Sequence, residues 1–156
     1  MYFDIEEWLE QVRNLERLIV SKQAERDRFW SLATNSASKP MDGMPYSNTG
    51  TVSRKVESLT VELATIDAEI DVLTHKFNEH KQNVINALEK LPQEEYAVLH
   101  HRYICYSRPS LRYRSWEEIA FDMGYCTSQI WRIKKKALKK LKDAIKCNEM
   151  QLNEIL

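Results

Sequence analysis

Apolar residues along this chain recur mostly at alternating spacings of three and four, the period of a helix that buries one stripe. The clearest run is Val56, Leu59, Leu63, Ile66, Ile70, Leu73, Phe77, His80, Val84, Ala87 and Leu91, a heptad seam five repeats long. It predicts a helix over residues 53–91, roughly 58 Å long at the helical rise per residue. No single small domain covers such a stripe. It must pack along a preceding helix as an antiparallel hairpin, along a second chain, or both. A hairpin that also dimerises is expected, because the shorter first helix cannot cover all of the second.

That first helix is predicted from a capping pattern, Asp4 with Glu7, and runs to about Ala33. Ile5, Trp8, Val12, Leu15 and Ile19 form its stripe, which then meets Lys22 and Arg26 before Phe29 and Leu32. The helix is well specified early and weakly specified late. Residues 34–52, TNSASKPMDGMPYSNTGTV, hold turn formers and read as a loop, with PMDGMP at its centre.

Pro92 stops the long helix and suits the first turn of another, PQEEYAVLHHRY, ending near Tyr103. Glu94 and Glu95 match the positive end of that helix, and Tyr96, Leu99 and Tyr103, with Val98 alongside, form its apolar face. Residues 104–114, ICYSRPSLRYR, form a loop with three Arg, Arg114 among them, whose side chains either touch phosphate or stay solvated.

Residues 115–141, SWEEIAFDMGYCTSQIWRIKKKALKKL, read as a short helix, a tight turn and a basic helix. Ser115 and Glu118 make a capping box. Gly124 suits the left-handed residue that ends a helix. Cys126 stands at the next cap, where Ser or Thr is usual. Ala120, Gly124 and Ile130 are the small residue, the turn residue and the apolar anchor that two crossing helices require. The arrangement predicts a helix-turn-helix, with an ordinary helical hairpin as the alternative.

Composition sharpens this. The 156 residues include only three Gly and four Pro, which favours an all-α protein. Net charge is zero but unevenly spread: residues 1–91 carry 11 basic and 15 acidic side chains, residues 92–156 carry 12 and 8. Residues 127–146 hold eight basic side chains against Asp143 alone, the footprint of a polyanion-binding helix; a solvated helix end favoured by its dipole is the plainer reading. Cys105, Cys126 and Cys147 have no zinc-type spacing, so neither a metal site nor a disulfide framework is expected. His75 and His80 are five apart and do not share a helix face; His80 reads as a polar interruption that sets register. No nucleophile–base pair or phosphate-cradling loop is present, so no catalysis and no cofactor are expected. With no signal peptide and no apolar run of membrane length, a cytoplasmic setting without membrane contact is expected.

On a helical wheel with Ile130 at the origin, Ile133, Ala137 and Leu141 fall on the same side and Ser128, Arg132, Lys135 and Lys139 on the opposite one, with Trp131 and Lys136 flanking. In helix-turn-helix docking the start of the second helix meets base edges. Thr127, Ser128, Trp131, Arg132 and Lys135 are therefore candidates for base reading, and Lys136 and Lys139 for phosphate. Trp116 is expected in the core.

Several of these residues carry a resemblance. Leu91 and Pro92, Arg102 and Tyr103, the EIA at residues 118–120, Gly124, and Ala137, Leu138 and Leu141 resemble region 4 of the primary bacterial sigma factors, which reads promoter −35 elements. The whole chain, PMDGMP included, is similar to small phage and prophage proteins grouped with the RinA and ArpU type transcriptional regulators. The 104–114 loop is longer than the turn usual in region 4. The resemblance implies a regulator of phage or prophage genes in a bacterial host cell, with double-stranded DNA and host RNA polymerase as partners.

The expected organisation is a coiled-coil helical hairpin over residues 1–91 with its loop at 34–52, a helix-turn-helix domain over 92–146, and a tail at 147–156. A homodimer through the long helices would suit a two-part operator. Two other functions compete: a phage assembly protein such as a small terminase subunit, and a coiled-coil adaptor whose basic helix binds an acidic protein.

Overall fold

The Asp4 carboxylate accepts the Glu6 amide at 2.9 Å and opens the first helix. In this computed structural model, residues 4–37, 49–107 and 109–154 are described. They form α1 (Ile5–Ala37), α2 (Thr49–Leu88), α3 (Gln93–Tyr103), α4 (Trp116–Met123) and α5 (Thr127–Glu154). Among the described residues there is no strand, only an isolated antiparallel bridge between Ser107 and Arg112. The chain is all-α, as its periodicity predicts. It divides into two compact units, Glu16–Lys76 and Met1–Leu15 with Phe77–Leu156, so the boundaries fall inside the two long helices.

In the Glu16–Lys76 unit, Ile19 and Ile66 are buried, while Leu59, Leu63, Ile70 and Leu73 keep partial exposure along the expected seam. Where the α1 stripe turns polar, ion pairs take over. The Lys22 ammonium lies 2.7 Å from Glu69 and 3.1 Å from Glu25, and the Arg26 guanidinium donates to Asp67. The partner's number falls as the α1 number rises, which makes the two helices antiparallel. Such half-exposed pairs add little stability. Their contribution is register.

Both helices outrun the loop expected at residues 34–52. Thr34, the first residue of that expected loop, donates to the Trp30 carbonyl at 3.0 Å, so a hydroxyl expected to divert the backbone is satisfied within the helix, as is that of Ser31 one turn before it on the Asp27 carbonyl at 2.9 Å. α1 continues to Ala37 and α2 begins at Thr49. The PMDGMP stretch lies outside the described residues.

The other unit holds two apolar clusters. The larger joins Ile5, Leu9 and Val12 of α1, Val84 and Leu88 of α2, Leu99 and Tyr103 of α3, Tyr106 and Leu111 of the following loop, and Ala137 and Leu141 of α5. Burying each large side chain contributes about 1.5–3 kcal/mol, so the start of α1 and the end of α2 are structural walls of this unit. His80 sits at this seam as expected. Its Nε2 lies 2.8 Å from the Trp8 carbonyl oxygen, which can only accept, so this nitrogen carries the proton. The smaller cluster, Val98, Ile119, Ala120 and Ile130, joins α3, α4 and α5.

Pro92 is the N-cap of α3, at φ −54° and ψ 150°, one position earlier than the first turn predicted for it. Glu95 is buried and ion-paired with Lys140 at 2.7 Å. The 104–114 segment is anchored rather than loose. Tyr106 and Leu111 are buried, and Leu111 takes a left-handed φ of 52°, a conformation that only a well-packed side chain sustains. The Tyr113 ring lies 3.5 Å from the Arg13 guanidinium carbon and 4.8 Å from that of Arg102.

Candidate nucleic-acid interface

The helix pair at residues 115–141 is fixed by local chemistry. Ser115 accepts the Glu118 amide at 3.1 Å, and the Glu118 carboxylate accepts the Ser115 amide at 2.7 Å, completing the capping box. The Ser115 backbone N–H, with Arg112 nearby, holds the Glu118 carboxyl below the usual range. α4 ends at Gly124, with φ 71°, whose amide reaches the Ala120 and Phe121 carbonyls.

At the start of α5 the weak cap is compensated. The Gln129 carboxamide oxygen accepts the Cys126 amide at 3.1 Å and lies 3.3 Å from the thiol, so Gln129 supplies the returning half of a capping box. Hydrogen bonds from Ser128 and from the Gln129 amide lower the Cys126 thiol pKa below its ordinary value. Ala120 and Ile130 meet at the crossing, 3% and 0% exposed. Burial of Ala137 and Leu141, with Ile133 half-buried, fixes the inner side of α5.

The basic run divides by partner. Lys134, only 13% exposed, is ion-paired with Glu6 at 3.0 Å, and Lys140 with Glu95. Arg132, Lys135, Lys136 and Lys139 are exposed and make no ion pair with a described residue. Ser128 is exposed beside them, its hydroxyl 3.2 Å from the Cys126 sulfur, and Thr127 is half-buried at the first turn. Trp131 keeps 49% of its surface exposed while its ring packs on Trp116, centroids 5.6 Å apart.

Arg114 stands apart from this face. It is bound to Asp122 of α4, and its guanidinium, which can only donate, lies 3.2 Å from the His101 Nδ1. Arg112 likewise pairs with Glu118 at 3.2 Å. Two of the loop's three arginines thus pair with α4, Arg114 largely buried and Arg112 still 71% exposed. The structural cations Lys134 and Lys140 were not distinguished by sequence reasoning. A signal existed for Lys134, which falls about 40° from Ile130 on the wheel, within the anchor row.

Residues 87–143 match the family model of sigma-70, region 4. That span begins in the last turn of α2 and includes α3, α4 and the exposed cationic face of α5. The C-terminal part is therefore a sigma region 4-like helix-turn-helix, a module of the DNA-binding kind. No curated protein and no solved structure matches the chain. Among the described residues no helix is long and apolar enough to cross a membrane.

Proposed function

We propose that this chain is a sequence-specific, double-stranded DNA-binding transcriptional regulator of phage or prophage genes, of the RinA and ArpU type, acting by binding rather than catalysis. The observation that carries this reading is the division of the basic run by partner: Lys134, largely buried, and Lys140, 53% exposed, are ion-paired with Glu6 and Glu95, whereas Arg132, Lys135, Lys136 and Lys139 are exposed and make no ion pair with a described residue. Those four cations stand together without a counter-charge from a described residue, the footprint expected of a surface that meets a polyanion. Docked in the major groove, α5 brings Ser128, Arg132 and Lys135 to base edges, with Thr127 and Trp131 beside them, while Lys136 and Lys139 meet phosphate. Arg132 has the fork that suits guanine. Arg114 reaches phosphate only by leaving Asp122.

The family resemblance supports the phage setting and makes host RNA polymerase a second partner. Leu18, Val61 and Val72, all at least half exposed in the Glu16–Lys76 unit, support pairing of two chains through the long helices. Selection of bound duplexes from random DNA tests the reading. It should return a defined motif, and Arg132→Ala should weaken binding to it by about 1–3 kcal/mol while relaxing one position. Failure to enrich any sequence would overturn it.

A further inference from the structure

Trp131 is the one large apolar side chain on the outward face of α5 among the described residues, and its ring is held from within. Trp116 lies against it, and the Lys134 ammonium sits 5.1 Å from the Trp131 ring and 4.9 Å from that of Trp116. Lys134 is itself tethered by Glu6 at 3.0 Å. The indole is thus fixed by a ring and a cation on its inner side, and 49% of it remains exposed between Ser128, Arg132 and Lys135. Phe121, 86% exposed on α4, has no comparable support and lies off this face.

A rigid aromatic surface loses little side-chain freedom when it is covered. In the major groove the base edges offer hydrogen-bonding groups and one apolar feature, the 5-methyl group of thymine. We propose, resting on the DNA-binding reading above, that the exposed half of Trp131 contacts the 5-methyl group of a thymine next to the base pair read by Arg132, with Trp116 and Lys134 as positioning residues. The half-site then has two unlike determinants: a guanine set by hydrogen bonds and a thymine set by apolar contact.

Deoxyuridine substitution isolates the second determinant, because it removes the methyl group and keeps every pairing and groove hydrogen bond. In the selected duplex, each thymine is replaced in turn and binding is measured with the full chain. One position per half-site should bind about three- to fivefold more weakly as deoxyuridine, the effect of losing one buried methyl contact. Trp131→Ala should bind the two duplexes equally. Trp116→Leu should lower their ratio, and Trp116→Phe should largely restore it; a merely structural role would weaken both duplexes alike and leave the ratio intact. Insensitivity of the natural chain at every thymine, or an unchanged ratio in Trp131→Ala, overturns the inference while leaving DNA binding in place. Failure to select any duplex overturns the regulator reading and this inference together.

Discussion

The two compact units are held by different means. Among its described residues Glu16–Lys76 buries few side chains, and it registers its helices through Lys22 with Glu69 and Arg26 with Asp67. The helix-turn-helix unit packs eleven buried residues from four helices and a loop into one cluster and four more into another. Where one helix faces one partner, a stripe and a few charges suffice. Where α5 must present one face outward at a fixed angle, it is locked from several sides.

Core truncation should separate the two units most sharply. Leu99→Ala, at a site with no exposure, should cost about 2–5 kcal/mol, whereas Asp67→Asn at the exposed ion pair should cost less than about 1 kcal/mol. Chemical denaturation followed by circular dichroism measures both. Comparable losses would show that the ion pairs carry more than register.

A smaller effect is expected at the turn. Gly124→Ala meets no atom within 4 Å of the added Cβ, so the change isolates the left-handed φ of 71°. It should destabilise by about 1 kcal/mol, read as a lower unfolding midpoint. No shift would mean that the turn relaxes freely and does not set the crossing of α4 and α5.

The smallest effect depends on pH. Burial, together with His101 and Lys81, pulls the His100 imidazole below its ordinary value. Above pH about 6.5 both folded and unfolded chains hold it neutral, and the folded state keeps its full stability. As pH falls below that value the unfolded chain takes up the proton first, and stability is lost until the lower folded pKa is passed. Hydrogen exchange between pH 7 and 5 should show weaker protection in α3, with the slope flattened in His100→Gln; a slope unaffected by that substitution would assign the change to other groups.

Features governed by neighbours in sequence were the most legible. The capping box at Ser115, the left-handed Gly124 and the anchor row from Ile130 to Leu141 each depend on residues within a few turns. Leu9 was less so: four residues after Ile5 and three before Val12, it shares their face as well as Trp8 does, and only the cluster drawn from α2, α3 and α5 decides that Leu9 is fully buried and Trp8 partly so. The roles of Lys134 and Lys140 were hidden because their partners, Glu6 and Glu95, are distant in sequence. The 104–114 segment read as an extended basic loop because its contacts reach residues outside it, on other helices. Arg13 and Arg102, on two helices outside it, hold Tyr113, and Glu118 and Asp122 of α4 pair with Arg112 and Arg114.

The central claim is that α5 divides its cations between fold and DNA, and the salt dependence of binding tests it directly. Lys136→Ala with Lys139→Ala should leave the unfolding midpoint nearly unchanged and reduce the slope of log affinity against log salt by about 2, as loss of two phosphate contacts requires. Lys134→Ala with Lys140→Ala removes the same charge from the same helix, and should lower the midpoint while leaving the slope intact. Equal reductions in slope from the two pairs would contradict the account.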